Sequence, residues 1–82
     1  MKARIYDYAV LTVDVPGDNG AVIRKGTTGA VIEARDEPTE RYTVIVNIPD
    51  DASSTGLRYG NVILRPDQFD VPPTDSQAYD LN

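Results

Sequence analysis

Residues 20–34 constrain the fold of this chain more than any other stretch, because they contain Gly-Ala-Val-Ile twice. Between the two copies runs Lys25-Gly26-Thr27-Thr28-Gly29, whose last residue is the first of the second copy. This segment is similar in composition to a phosphate-binding loop. However, the spacing Gly-x-x-x-x-Gly-Lys-Ser/Thr is absent, and no helical segment follows whose N-terminus would hold an anion. The stretch therefore predicts a glycine-marked turn that leads into a central β-strand. Gly26 and Gly29 are expected where a strand bends or where another backbone comes close.

The rest of the chain has the composition of short β-strands separated by polar turns. Residues 42–48 form the strongest candidate, with Tyr42, Val44, Val46 and Ile48 on one face by the period-two rule. Tyr42 is expected in the core. The predicted strands are residues 8–13, 27–35, 42–48, 57–64 and 69–71, with a bulge or sharp bend at Gly60-Asn61 and a helical turn at residues 65–68.

Five short strands, a long first loop and a helical turn before the last strand predict an all-β fold, a small SH3-like barrel. An OB-fold is the nearest alternative, although the sequence offers no segment for the helix it usually carries. Residues 1–71 are expected to form the barrel domain, and residues 72–82 an acidic, flexible C-terminal tail. An alternative for the tail is that Tyr79 and Leu81 dock on a partner subunit.

Four blocks of the sequence resemble the DUF4926 domains, which are small bacterial SH3-like proteins of uncharacterised function. The blocks are residues 10–16, 25–33, 42–46 and 62–69, so the resemblance covers roughly residues 8–71 in order. Since its motifs are mostly structural, the resemblance implies an SH3-like fold and no particular activity. The chain departs from the family pattern in the longer turn at residues 49–56 and in its acidic tail.

Composition limits the chemistry that the chain can perform. It contains neither cysteine nor histidine, which excludes thiol catalysis and thiolate metal sites and removes the commonest general base. Thirteen Asp/Glu against eight Lys/Arg give a net charge of −5, which disfavours nucleic acid. An acidic face could attract a basic partner protein, although the simpler interpretation is that the charge keeps a small domain soluble. No signal peptide or membrane-spanning run is found in the sequence, so a cytoplasmic protein without membrane contact is expected.

These observations predict a non-enzymatic protein-interaction module, in one form an acidic inhibitor or immunity-type protein, without cofactor or metal. A homo-oligomer is also expected, because Ile45 leaves apolar area on the second strand face. The alternative is a small-molecule-binding or enzymatic homo-oligomer with its site at the subunit interface. The carboxylates could also chelate a hard cation, although their spacing matches no EF-hand. The expected partner-binding residues are Tyr6, Tyr59, Asp36, Glu37, Glu40, Asp50 and Asp51.

Overall fold

Seven β-strands in two sheets make up the computed structural model of the protein, which describes residues 1–17 and 20–73. The all-β prediction is confirmed, as is the helical turn before the last strand. Residues 74–82, including Tyr79 and Leu81, lie outside the described residues. The strands are β1 Tyr8–Leu11, β2 Val15–Pro16, β3 Val22–Ile23, β4 Thr28–Arg35, β5 Arg41–Pro49, β6 Leu57–Leu64 and β7 Phe69–Asp70, with a 3-10 turn at Pro66–Gln68.

The larger sheet has five strands in the order β6-β5-β4-β1-β7, and every neighbouring pair is antiparallel. β4 is its central strand, as residues 20–34 predict. β2 and β3 form a separate small hairpin inside the predicted first loop. In the part of the chain that the structure describes, no helix is long and apolar enough to cross a membrane.

The core lies on the inner face of the five-stranded sheet, with Val15 and Ile23 of the β2–β3 hairpin among its members. Tyr42 is fully buried, as predicted, and its ring meets that of Phe69 edge-to-face at a centroid distance of 5.1 Å. Burial alternates along β5, so the predicted faces of this strand are confirmed. Among the described residues, the other buried hydrophobic side chains are those of Ala3, Ala9, Leu11, Val31, Val44, Val46, Val62 and Leu64.

Of the two alternatives predicted at Gly60-Asn61, the bulge is wrong, because β5 and β6 pair without interruption from Tyr42↔Leu64 to Pro49↔Leu57. Gly60 occupies a regular position of β6, next to the side chain of Ile48. A Cβ at this position would lie 2.7 Å from Cδ1 of Ile48.

A bulge occurs instead in β4, between Val31 and Glu33. Val31 pairs with Val44 and Glu33 pairs with Thr43, so Ile32 is the extra residue on this strand. Ile32 and Glu33 are both exposed, and Ala34 packs against the core. The bulge therefore accommodates one additional outward-facing residue without changing which side chains reach the core.

The first strand is shorter than predicted and ends at Leu11 rather than at residue 13. After Leu11 the backbone turns toward the 3-10 turn, since Thr12 N donates to the carbonyl oxygen of Gln68 at 2.9 Å. The last strand is also shorter, although Val71 still packs against the core.

Candidate functional site

The acidic residues predicted to bind a partner do not form one surface. Asp36 and Glu37 are exposed in the β4–β5 loop, whereas Asp50 and Asp51 belong to the β5–β6 loop. These loops lie at opposite ends of β5, a nine-residue strand. At about 3.4 Å per residue, the strand separates them by roughly 25–30 Å. Within residues 1–17 and 20–73, no group of three or more carboxylates is arranged to hold a metal ion.

Glu40 holds the N-terminal segment against the sheet. Its carboxylate accepts hydrogen bonds from the hydroxyl of Tyr42 and, at 2.9 Å, from the backbone N–H of Lys2. These two bonds hold the pKa of Glu40 below its usual value, the bond from Tyr42 having the larger effect. Burial, followed by the bond to Glu40, raises the pKa of Tyr42. Glu40 is therefore engaged in a structural contact.

The side chain of Lys2 completes this attachment. Its Nζ donates to the carbonyl oxygen of Pro66 at 2.6 Å and to that of Phe69, and it lies 5.0 Å from the centroid of the Phe69 ring. The carboxylate of Asp70 is 3.9 Å away. Residues 1–3 are thereby fixed to the 3-10 turn and β7, a role that the sequence analysis did not assign to Lys2.

Asp50 also has local partners, whereas Asp51 is exposed. The Asp50 carboxylate accepts from the backbone N–H of Ala52 at 3.0 Å and lies 4.0 Å from Nε of Arg58. These contacts stabilise the β5–β6 loop. Of the five acidic residues predicted to bind a partner, two are thus engaged in holding the fold together.

The two predicted tyrosines are highly exposed but lie in different parts of the fold, Tyr6 in the turn before β1 and Tyr59 on β6. Tyr6 is 83% exposed and has a φ of 78°, and its N–H donates to the carbonyl oxygen of Val31 in β4 at 2.6 Å. Tyr59 is 73% exposed and lies on β6. Because β5 runs between β4 and β6, Tyr6 and Tyr59 do not form a single patch.

The side of β5 and β6 that faces away from the core, here called the outer sheet face, is rich in exposed apolar groups. Tyr59 and Ile63 of β6 are 73% and 71% exposed, and Leu57 is 43% exposed. These three residues lie at alternate positions of β6, an edge strand of the five-stranded sheet. Their partners on β5 are Thr43, Asn47 and Pro49, and Ile45 opposite Asn61 is half-buried.

Three arginines lie close together at one end of the five-stranded sheet. Arg35 and Arg41 are directly opposite each other in the β4–β5 ladder. Continuing the β5–β6 register one step beyond Tyr42↔Leu64 brings Arg65 opposite Arg41. The three residues therefore lie side by side, Arg35 on β4, Arg41 on β5 and Arg65 directly after β6, and we call them the arginine row.

Two members of the arginine row have carboxylate partners and the middle one does not. Arg35 pairs with Glu33 and Arg65 pairs with Asp67, each at 3.0 Å. Across the described residues, no carboxylate forms an ion pair with Arg41. Within the described residues, its Nη1 donates only to the carbonyl oxygen of Glu40, at 2.8 Å.

The electrostatics of the row follow from these pairs. The hydrogen bond from Arg35 is the main cause that lowers the pKa of Glu33, with a further contribution from Thr43 Oγ1 at 3.0 Å. The hydrogen bond from Arg65 is the main cause that lowers the pKa of Asp67, and the charge of Arg41 adds a smaller lowering. Both carboxylates are therefore ionised at neutral pH and poorly suited to general acid catalysis.

Arg41 stands between two concave regions of the surface. The larger groove, of about 620 Å³, lies between β2 and the end of β6 and also contains Arg65. The smaller, of about 200 Å³, lies beside the β4–β5 loop. Arg41 and Ile63 line both. The larger groove is lined in addition by Val15, Pro16, Gly17, Asn61, Val62 and Gln68.

Comparisons with protein-family models, with curated proteins and with solved structures found no match to this chain. The resemblance to the DUF4926 domains therefore stays a prediction. The candidate site rests on the geometry alone.

Sequence reasoning missed the arginine row, although a signal for it is present. Arg35 ends one predicted strand, Arg41 immediately precedes the next, and Arg65 immediately follows the fourth. In a run of antiparallel hairpins, these three positions fall at the same end of the sheet. Combining strand ends with charge would have brought the three arginines together before the structure was known.

Proposed function

We propose that this chain is a non-enzymatic protein-interaction module of SH3-like plan, acting in the cytosol, and that its outer sheet face binds a partner protein. The observation that carries the proposal is the exposure of Tyr59 and Ile63 on the edge strand β6. Large apolar side chains grouped on one exposed face commonly mark interaction surfaces. The SH3-like plan is supported by the antiparallel hairpins and by the 3-10 turn before β7.

Binding is favoured over catalysis by the state of the ionisable groups. Among the described residues, the carboxylates with altered pKa values are Glu33, Glu40 and Asp67, and each pKa is lowered, away from the range that suits general acids at neutral pH. The chain also has no histidine or cysteine to serve instead. What the outer sheet face offers is apolar area bordered by guanidinium groups, which is a composition enriched at protein interfaces.

Capture of partner proteins from an extract of the source organism tests the proposal when wild type and variants are compared quantitatively. The outer-face variant is Tyr59→Ser/Ile63→Ser. The matched control is Asp36→Asn/Glu37→Gln, which alters the exposed acidic loop. A captured protein would then be purified and its dissociation constant measured with each form of the chain.

We expect the outer-face variant to weaken binding by roughly thirtyfold or more, since a central aromatic or aliphatic anchor is commonly worth about 2 kcal/mol. The control should bind as wild type does. A partner that is lost with the acidic-loop variant and retained by the outer-face variant would refute the proposed surface and support an acidic inhibitor instead.

A further inference from the structure

The arginine row is unusual for a chain with so few basic residues. Three of its eight Lys/Arg residues lie side by side at one end of the sheet. Like charges directly opposite each other in a sheet are destabilising, so this arrangement costs folding free energy unless anions compensate it. Glu33 and Asp67 compensate Arg35 and Arg65, which leaves the charge of Arg41 unmatched within the described residues.

Arg41 is also placed to reach a ligand. It is half-buried and lines the groove of about 620 Å³ together with Arg65. This volume lies within the range of about 300–1,000 Å³ that is typical of ligand pockets. Asn61 and Gln68 supply amide groups to the same groove, and Val15, Pro16 and Ile63 supply apolar surface. A guanidinium in such a setting is suited to binding a carboxylate through two parallel hydrogen bonds.

We propose that the groove between β2 and β6 binds an extended acidic segment of the partner protein, and that Arg41 anchors one of its carboxylate side chains. This inference rests on the proposed function, since it names the chemistry of the partner. An extended segment fits better than a small anion because the groove combines charged and amide groups with apolar walls.

The chain as a whole carries a net charge of −5, so binding of an acidic ligand depends on a local excess of positive charge. Among the described residues the groove is lined by Arg41 and Arg65 and by no carboxylate. Asp67, which lies beside it, pairs with Arg65, so the charge contributed by these three groups is positive.

Fluorescence anisotropy with two labelled peptides tests the inference on the full chain. One peptide has eight residues of alternating glutamate and leucine, and the other has glutamine in place of every glutamate. The key variant is Arg41→Gln, and the matched control is Arg24→Gln, which removes the same charge from an exposed position outside the groove. Thermal unfolding of each variant establishes that it is folded.

We expect the glutamate peptide to bind roughly ten- to a hundredfold more tightly than the glutamine peptide, as is typical of hydrogen bonds to charged groups. Arg41→Gln should remove most of this difference, and Arg24→Gln should change it less than about twofold at physiological salt. Equal binding of the two peptides, or equal losses in the two variants, would overturn the inference.

A second variant keeps the test decisive if Arg41→Gln fails to fold. Asn61→Asp places a carboxylate in the groove and should weaken the glutamate peptide about tenfold while sparing the glutamine peptide. Binding of both peptides unchanged by Asn61→Asp would contradict the proposed location. If acetate displaces the labelled peptide at a concentration equal to that of the peptide, the groove takes any small carboxylate. That result would overturn the choice of an extended segment.

The same assay distinguishes two other occupants of the groove from a partner protein. If a second copy of the chain fills the groove, the free protein will sediment as a dimer that the glutamate peptide dissociates. If residues 74–82 of the chain itself compete for the groove, Asp75→Asn/Asp80→Asn will raise the affinity for the peptide about tenfold. Either result would overturn the assignment to a partner protein.

Partner binding that is lost in Tyr59→Ser/Ile63→Ser but kept in Arg41→Gln would refute this inference and leave the proposed function standing.

Discussion

Two glycines on either side of Val46 provide a sharp test of the packing in the sheet. Gly29 of β4 and Gly60 of β6 both pair with Val46 of β5. At Gly29, an added Cβ would overlap the carbonyl oxygen of Ile45 and lie only 3.0 Å from its carbonyl carbon. At Gly60, the nearest atom is Cδ1 of Ile48, at 2.7 Å. The same methyl group therefore meets rigid backbone in one case and the end of a flexible side chain in the other.

We expect Gly29→Ala to lower the free energy of unfolding by about 2–6 kcal/mol. Forcing an extra carbon into a filled site costs about 1–3 kcal/mol, and disturbing a buried backbone carbonyl costs about 1–3 kcal/mol more. For a chain of this length the total stability is on the order of 4–12 kcal/mol, so the variant loses a large share of it. Gly29→Val, which is bulkier, should not fold.

The matched control is Gly60→Ala, which should cost less than about 1 kcal/mol because Ile48 can change its rotamer. Replacing glycine by alanine also stabilises by restricting the unfolded chain, by about 0.4–1 kcal/mol, and this contribution largely cancels between the two variants. Urea unfolding followed by far-ultraviolet circular dichroism measures both. A Gly29→Ala variant within about 1 kcal/mol of wild type, or a control that is the less stable of the two, would refute the close approach of β4 to β5.

Three further outcomes are expected from single contacts. Tyr42→Phe removes the hydroxyl that contacts both Lys2 and Glu40, and it should lower the free energy of unfolding in urea by about 1–3 kcal/mol. The control Tyr59→Phe should change this free energy by less than about 0.5 kcal/mol. Equal losses in the two variants would contradict the buried contact. Because the folded-state pKa of Glu40 is lowered from 4.5, its stabilising effect is present above pH 4.5 and disappears as pH falls through the lowered value. Glu40→Gln should therefore melt below wild type at neutral pH and approach it on acidification, and a gap that does not close would count against this linkage. Tyr59→Ser/Ile63→Ser should lower the free energy of unfolding by less than about 1 kcal/mol, and a larger loss would show that these residues serve folding rather than binding.

The features that sequence predicted well are those that depend on local pattern. The alternation of β5 follows from the regular spacing of Tyr42, Val44 and Val46, each of which is fully buried. Gly29 was expected where another backbone comes close, and the carbonyl of Ile45 is that backbone. Both features can be predicted from the sequence of a single strand. Side chains alternate between the two faces of a strand, and a glycine, which lacks a Cβ, is identified directly from the sequence.

The features that sequence missed depend on which strands become neighbours. The bulge in β4 exists because Glu33, rather than Ile32, is aligned with Thr43. A glycine such as Gly60 suggests a bulge from composition, but the register with β5 leaves no extra residue there. Register is set by pairing along the whole ladder, and a single segment does not contain it.

The candidate site shows the same limit. Tyr59 was identified from its residue type and is exposed on the outer sheet face, but its neighbour Ile63 was not singled out. The acidic loops were grouped by their charge, although β5 separates them. Arg41 became a candidate only when the register brought it between Arg35 and Arg65.

The central claim is that the outer sheet face is the binding surface, and mapping amide chemical shifts tests it most directly. The isotope-labelled full chain would be titrated with the protein captured from the source organism, and the backbone amides that shift would be assigned. We predict that the largest changes lie in β6 and at the start of β5, around Tyr59, Ile63 and Arg41. Changes confined to residues 36–40 and 50–56, the two acidic loops, would contradict the account.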